Sequence, residues 1–369
     1  MSKSTIRAIV LSDGKPGHYN QSLGVIQQLP GCSYQLLDIA FRSKVRDNLL
    51  RVLVRIIARF RLRRGLIRCA LRMGLERNVL NQLDAIERAD LILSTGSSVA
   101  AVNLLLGQLF NAKTVTCRRP SPLGISHFNL AILPKMHWPR RDKRNVCKTI
   151  GVPNRISPAD LDARRTQYLE NSNFGATAIH APNHRRIGVL IGGEDRYAGI
   201  SGDTATHLIE VLCRSAETRN CQILLTTSRR TPIDIENLIG ARLSNTALCP
   251  ILVLAHRENS LANPVNQILA LSDLVVVTED SFSMVCEAAS SGRRVIILEV
   301  DRKTRRHPKR NRVYQEILRL ASVRWSDIKN LEEDIARALA DSSPVEPLRD
   351  TQTAAAAIQR LIYGTTTNN

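Results

Sequence analysis

Directly after a strand-like run, Ile6–Leu11, the chain reads Ser12-Asp13-Gly14-Lys15-Pro16-Gly17-His18-Tyr19-Asn20-Gln21-Ser22-Leu23-Gly24, followed by a helix-like Val25–Leu29. Gly14 and Gly17 let backbone amides approach a ligand, and the N-terminus of the helix expected after the loop favours an anion. Lys15, Asn20 and Gln21 add a cation and two amides suited to a phosphate or an acceptor hydroxyl. Asp13 and His18 are the candidate general bases, histidine being the side chain that ordinarily titrates nearest neutrality. The plainer alternative is that Asp13 caps a turn and His18 caps or packs. The loop is neither a Walker A sequence nor a Gly-x-Gly-x-x-Gly fingerprint, so ATP and NAD lose support. A second small-residue turn, Ser94-Thr95-Gly96-Ser97-Ser98, precedes a helix-like Val99–Leu106. Ser97 there suits a phosphate or a sugar hydroxyl, although a simple N-cap at Ser97 or Ser98 is the commoner use.

The second half of the chain offers three further loops after apolar runs. Gly192 and Gly193 follow Val189-Leu-Ile, and Ser228, Arg229 and Arg230 bring a hydroxyl and two cations after Gln222–Thr226. The most informative stretch is Thr278-Glu279-Asp280-Ser281-Phe282-Ser283-Met284-Val285-Cys286-Glu287. A strand delivering Ser281 and Ser283 to a helix N-terminus suits a pyrophosphate, and Glu287 one to two turns on can accept hydrogen bonds from ribose hydroxyls. The alternative is a capped helix with Glu287 on its exposed face. Arg302, Lys303, Arg305, Arg306, Lys309, Arg310 and Arg312 form a basic loop downstream, either a phosphate clamp or a solvated surface.

Such loops need strands ending beside helices. Ala8–Leu11, Ala89–Leu93, Lys113–Thr116, Leu130–Leu133, Ile187–Ile191, Gln222–Thr226, Leu274–Val277 and Val295–Leu298 each precede a helical pattern, the alternation of parallel β/α units. This predicts an α/β protein with two doubly wound, Rossmann-like domains and a cleft at the C-terminal ends of the strands. The pattern lapses between about residues 155 and 185. The expected organisation is an N-terminal domain over 1–155, a linker over 156–185, a second domain over 186–330, and C-terminal helices with a frayed tail over 331–369.

Of 369 residues, 52 are Lys or Arg and 33 Asp or Glu, a net +19, and +17 of it falls within residues 1–150. That half faces something anionic, either nucleic acid or a membrane surface. Aromatic residues make up only 4% and none interleave the basic clusters, which leaves no stacking platform for single strands and disfavours nucleic acid. Residues 42–77 carry 12 basic residues against Asp47 and Glu76. A helix there would set Arg51, Arg55, Arg59 and Arg63 in a stripe beside an apolar face, fit for the interface of an anionic membrane; a solvated or partner-binding helix is the competing reading. Eight scattered cysteines lack zinc spacing and imply a reducing compartment. The N-terminus runs straight into a strand with no room for a signal peptide, so a cytoplasmic protein is expected.

The Ser281–Glu287 stretch resembles the nucleotide-binding half of GT-B glycosyltransferases. More closely, Asp13–His18 with Asn20–Gly24, Asn145–Asn154, Gly192-Gly193, Thr227–Pro232 and Asp280–Met284 resemble, as a set over about residues 6–320, the mitochondrial-fission "elongated mitochondria" family. One departure lies at Pro134-Lys135-Met136-His137, where relatives tend to carry Pro-Glu-His-Asp. The resemblance implies a metal-independent GT-B enzyme without a bound cofactor, in which a nucleotide-sugar is donor to a lipid-linked or envelope glycan acceptor at the inner membrane face. The donor would meet Gly192, Gly193, Ser228, Arg229, Arg230, Ser281, Phe282, Ser283, Met284 and Glu287. His18 or Asp13 would deprotonate the acceptor. The family's plant members imply a non-catalytic membrane adaptor as the alternative, and a nucleoside-diphosphate-sugar epimerase is the second, weakened by the missing NAD fingerprint.

Overall fold

A computed structural model describes residues 5–170, 184–258, 263–306 and 308–364. The chain divides into two compact units, one of residues 1–155 with 349–369 and the other of residues 156–348.

The first unit is built on six parallel strands: β1 (Ile6–Ser12), β2 (Cys32–Asp38), β3 (Leu91–Thr95), β4 (Lys113–Cys117), β5 (Leu130–Pro134) and β6 (Val146–Thr149), in the order β2-β1-β3-β4-β5-β6. Alternate residues of β1 enter opposite layers, as the two-residue period requires. Ile9 and Leu11 pack with side chains of α2 (Lys44–Ile57), α3 (Arg64–Gly74), α4 (Arg77–Asp84) and α5 (Ala100–Phe110). Ala8 and Val10 pack on the other face with α1 (Pro16–Gln27) and with a helix from the far end of the chain.

The second unit opens with α6 (Pro158–Glu170) and continues β7 (Arg185–Leu190), β8 (Ala198–Gly199), α7 (Gly202–Thr218), β9 (Cys221–Thr226), α8 (Ile233–Leu243), β10 (Ile251–Val253), α9 (Pro264–Leu271), β11 (Leu274–Thr278), α10 (Phe282–Ser290), β12 (Arg294–Leu298), β13 (Asp301–Arg302), α11 (Asn311–Ile317), β14 (Val323–Ser326) and α12 (Leu331–Ala340). Its six-stranded parallel sheet runs β10-β9-β7-β11-β12-β14. Counted within the unit this is 3-2-1-4-5-6, the strand order of dinucleotide-binding sheets, whose ligands sit where the winding reverses. Here the reversal falls between β7 and β11; in the first unit it falls between β1 and β3.

Three expectations change. The loop placed over Ser12–Gly24 is short: α1 already starts at Pro16, a residue whose fixed φ and missing N–H suit the first helical position. Gly17, His18, Asn20 and Gln21 therefore project from a helix. Gly24 lies in the same helix because its packing leaves no room for a side chain; a Cβ would overlap the carbonyl of Asn154. Next, the single basic helix over 42–77 is two helices, α2 and α3. The break is held by Gln108, whose Oε1 accepts from Leu62 N at 3.0 Å while its Nε2 donates to Phe60 O at 3.2 Å, so one side-chain amide replaces two helical partners. Arg59 and Arg63 fall outside both helices, and Arg51 is half-buried against Asp47, its Nε 2.7 Å from Oδ1. No four-arginine helical stripe forms.

The last change concerns the ends of the second unit. Residues 158–170, assigned to a linker, form α6, with Leu161 buried and Arg165 bonded to Asp273 at 2.7 Å. The rest of that linker, residues 171–183, lies outside the described residues, as does the tail from 365. The C-terminal helices part company: α12 buries Leu331, Ile335 and Ala338 in the second unit's core, whereas α13 (Asp350–Tyr363) returns to the first. It is anchored by Asp350, whose carboxylate accepts the amides of Ile150 at 2.8 Å and Gly151 at 2.5 Å.

Candidate active site

In the first unit, β1 and β3 run in register, Leu11 beside Ser94, so the turns after both strands open at the same edge of the sheet. Asp13 lies just past β1 and His18 in the first turn of α1. Their side chains meet, His18 Nδ1 to Asp13 Oδ2 at 2.9 Å. Ser98, from the turn after β3, donates its hydroxyl to the same Asp13 oxygen at 2.9 Å. Arg118, one residue past β4, brings Nη1 to 3.3 Å from His18 Nε2. A guanidinium only donates. Nε2 therefore accepts, and Nδ1 carries the proton given to Asp13.

Backbone conformation holds these groups in place. Gly96 has φ 89°, and a Cβ there would stand 3.3 Å from the His18 ring, so the small-residue turn is what lets the imidazole sit over it. Arg118 has φ 99°, in the region only glycine enters freely. Its amide donates to Ile132 O at 2.9 Å and its carbonyl accepts from Thr116 Oγ1 at 3.2 Å. Burial works against the Asp13 carboxylate, but the bonds from His18 and Ser98 and the charge of Lys15, 3.8 Å away, outweigh it and hold the carboxyl below its ordinary range. Asp13 is thus an ionised hydrogen-bond acceptor that fixes the imidazole.

The remaining residues of this loop divide. Gly14, with φ 75°, donates its amide to Ser12 Oγ at 3.1 Å, and Lys15 is exposed. Gln21 turns back on its own helix, Nε2 to Gly17 O at 2.6 Å, and Asn20 is half-buried. Ser97 is engaged by the backbone, its Oγ accepting from Ser121 N at 3.0 Å, and neither Ser97 nor Ser98 caps α5, whose N-cap is Val99. At the departure noted after β5, Lys135 lies over the Trp138 ring at 4.8 Å.

In the second unit the turns after β7, β9 and β11 interlock, and the two glycines are the reason. Gly192 donates its amide to Thr278 Oγ1 at 2.8 Å, and a Cβ on it would overlap the Asp280 carboxylate and Ser281. Gly193, with φ 120°, lies against the backbone of Arg230, leaving no space for a side chain. Ser228 shapes its own turn, accepting from Arg230 N at 3.1 Å, and Arg229 is exposed. Arg230 stands with Nη2 3.7 Å from Asp280 Oδ2 and Nη1 3.2 Å from Glu194 O.

Ser281 is the buried N-cap of α10, with no side-chain cap bond; Phe282, Ser283 and Met284 form the half-exposed first turn. Glu287 is half-buried rather than exposed, and burial of its carboxyl raises it to about 7. Asp280 is buried as well, and desolvation lifts it to about 6 against the pull of Thr278, Arg230 and Arg310.

Arg310, read only as part of a basic loop, is a buried ion-pair partner of Asp195 and donates to Asp280 O at 3.2 Å. Its Nε and Nη2 are buried without an acceptor. Asp195 also accepts the amides of Tyr197 at 2.7 Å and Ala198 at 2.8 Å. Lys303 and Arg302 of the same loop pair with Glu194 at 2.8 Å and Glu299 at 3.1 Å, so much of its charge is already neutralised. Among the described residues no three His, Cys, Asp or Glu side chains gather as a metal ion requires.

Sequence comparison decides the relationship. Residues 16–362 match the family described as Mitochondrial fission ELM1. The chain belongs to that family. One relative is Uncharacterized protein RP120 of Rickettsia prowazekii (strain Madrid E), 23% identical over 313 residues, covering 78% of this chain and 82% of that one. Among solved structures, a UDP-GlcNAc 2-epimerase of Methanocaldococcus jannaschii superposes with a TM-score of 0.56 at 13% identity, covering 97% of this chain and 99% of the other. The UDP-GlcNAc 2-epimerase of Neisseria meningitidis bound to UDP-GlcNAc gives 0.52 at 14% identity, again covering 97% and 99%. At such identities the likeness establishes the fold, and it is the GT-B type: two Rossmann-like units of parallel sheet flanked by helices in an ELM1-family chain.

Proposed function

We propose that this ELM1-family protein transfers a sugar from a nucleotide-sugar donor to a lipid-linked or envelope glycan acceptor at the cytoplasmic face of a membrane. The observation that carries the reading is the place of Glu287, a half-buried carboxyl in α10 beyond the Ser281 N-cap, at the winding reversal of a 3-2-1-4-5-6 sheet. Ribose hydroxyls are the natural partners of such a carboxyl, and a diphosphate suits the amides of the α10 N-terminus with Arg230 and Arg310 nearby. In support, the Neisseria meningitidis protein of the same fold binds UDP-GlcNAc.

His18 is the base in this reading and Asp13 its positioning residue. The acceptor hydroxyl proton passes to Nε2 as the oxygen bonds to the anomeric carbon. The bond to the diphosphate breaks with its electron pair on the leaving oxygen, where Arg229, Arg230 and the amides at Ser281–Ser283 oppose the developing charge. Membrane residence is supported by α2 and α3. Of the eleven large apolar side chains exposed among the described residues, seven lie between Val45 and Met73, and Val45, Leu49, Val52 and Ile56 share one face of α2. Arg55, Arg59 and Arg63 are exposed nearby in sequence. No described helix is long and apolar enough to cross a membrane, so the contact is interfacial.

The test is thermal shift of the purified chain with UDP, GDP, TDP, CDP and CMP, a ligand at 100 times its dissociation constant adding about 2.7 kcal/mol. One nucleotide should raise the melting temperature, and Glu287→Ala should abolish that rise while leaving the free protein folded. Silence with all five moves the reading to a membrane adaptor, which the exposed α2 face also suits. A second catalytic reading, epimerisation of a nucleotide-sugar, is favoured by the fold shared with UDP-GlcNAc 2-epimerases. Incubating the bound donor without acceptor separates the two, because an inverted sugar carbon in the proton NMR spectrum is the signature of the epimerase.

A further inference from the structure

His18, as it stands, has no lone pair to spare: Nδ1 gives its proton to Asp13, and Nε2 accepts from Arg118. A base so occupied takes no proton from an acceptor until Arg118 leaves. We propose that Arg118 is an anion-responsive cover on His18, drawn away by a phosphoryl group carried on the acceptor; the inference rests on His18 being the base and names the acceptor class.

Four observations converge. Arg118 makes no ion pair with a carboxylate among the described residues; its nearest counter-charge, Asp13, is committed to His18 and Ser98. Burial disfavours the charged guanidinium, so a phosphoryl group in hydrogen-bonding range gains from a cation that water serves poorly. Lys15, Arg118 and Arg119 stand in the turns after β1 and β4, where Asp13 and, at the end of β2, Asp38 are the carboxylates, so cations outnumber carboxylates around His18. Lastly, a phosphate offers the guanidinium a full counter-charge and two parallel acceptors, neither of which the neutral imidazole nitrogen supplies, so the exchange runs toward the anion. The φ of 99° at Arg118 then acts as a fixed pivot from which the side chain swings. The imidazole meanwhile stays over Gly96, held by Asp13.

The experiment is nitrogen-15 NMR of the histidine rings in the full chain, with His18 assigned through His18→Gln, during titration with inorganic phosphate at constant ionic strength. In the wild-type protein the His18 Nε2 resonance should move saturably while the other histidines stay put. In Arg118→Gly, which relieves the backbone while deleting the guanidinium, and in Arg118→Met, phosphate affinity at this resonance should fall roughly tenfold or more, about 1.4 kcal/mol. Both variants should also show His18 modified by diethyl pyrocarbonate several-fold faster than wild type, since a bare lone pair is what that reagent attacks. A wild-type resonance indifferent to phosphate, or one that moves equally in the variants, overturns the proposal. A steeper response to dihexanoyl phosphatidic acid than to inorganic phosphate places the anion on a lipid; the reverse places it on a soluble acceptor, and either supports the cover. The nucleotide screen is independent of this readout, so failure of the donor site and failure of the cover are told apart.

Discussion

The behaviour of a carboxyl group changes with its surroundings, and Asp13 and Asp280 are shifted in opposite directions. Asp13 is held ionised by its partners, so it orients rather than accepts a proton. Asp280 is pushed the other way, to about 6 from an ordinary 3.8, because burial outweighs its arginine neighbours. The consequence for stability has a definite sign. Between about pH 4 and pH 6 the folded chain holds a proton on Asp280 that the unfolded chain has lost, so stability falls as pH rises through that window. A displacement of about two pH units is worth about 3 kcal/mol. Asp280→Asn should remove that fall, leaving a variant that gains on wild type as pH rises from about 4 to about 7 in urea unfolding; parallel curves for the two proteins would rule out the assignment. Asp350, also raised to about 6, and Glu287 slope the same way, which is why the comparison is between variant and wild type rather than across pH alone.

At the scale of elements, α1 shows how one residue type serves two ends of a helix differently. Gly17, near its start, has open space where a Cβ would go, whereas a Cβ on Gly24 would overlap the Asn154 carbonyl. Gly17→Ala should therefore raise stability by about 0.4–1 kcal/mol through the unfolded chain alone. Gly24→Ala should lower it by about 1–3 kcal/mol, as overpacking does. Thermal unfolding of the pair checks both, and equal shifts would mean that α1 does not rest on Asn154. Strands were the elements most legible in the sequence. The eight apolar runs all became strands, while β2, exposed along most of its length at a sheet edge, and β14 mix polar with apolar residues, and the apolar β10 is only three residues long. The start of α1 was misplaced because two glycines outweighed the proline between them. The break between α2 and α3 was invisible because its cause, Gln108, comes from a helix 46 residues further on.

For the candidate site the same division holds. Asp13, Gly192 and Ser281 sit in turns whose small residues advertise them, and His18 and Glu287 in the helices that follow such turns. Arg118 and Arg310 do not, since only the sheet order brings β4 beside β3 and folds the basic loop back onto Asp195.

On the scale of the whole molecule, the charge imbalance, +17 in the first 150 residues, and the exposed apolar face of α2 act together. In the membrane contact proposed above, an anionic surface would draw the chain by its field and apolar burial would then hold it. The protein should sediment with vesicles containing phosphatidylserine or cardiolipin and not with purely phosphatidylcholine vesicles, and rising salt should weaken the binding. Replacing Val45, Leu49, Val52 and Ile56 by serine should abolish sedimentation while leaving nucleotide-induced thermal shifts intact; retention of binding by that variant would take α2 out of the contact.

One feature of the chain path bears on how such a protein is made. The sheet of the first unit is complete by residue 149, yet α13, which packs Ala354 and Ile358 into the layer over β5 and β6 beside α1, follows 200 residues after the Ile150 amide that anchors it. For the whole time that the intervening unit is being synthesised, α1 covers that face over β1 and β3 while the part over β5 and β6 waits for its lid. A chain cut anywhere before α13 should therefore bare that apolar strip and aggregate more readily than the full chain.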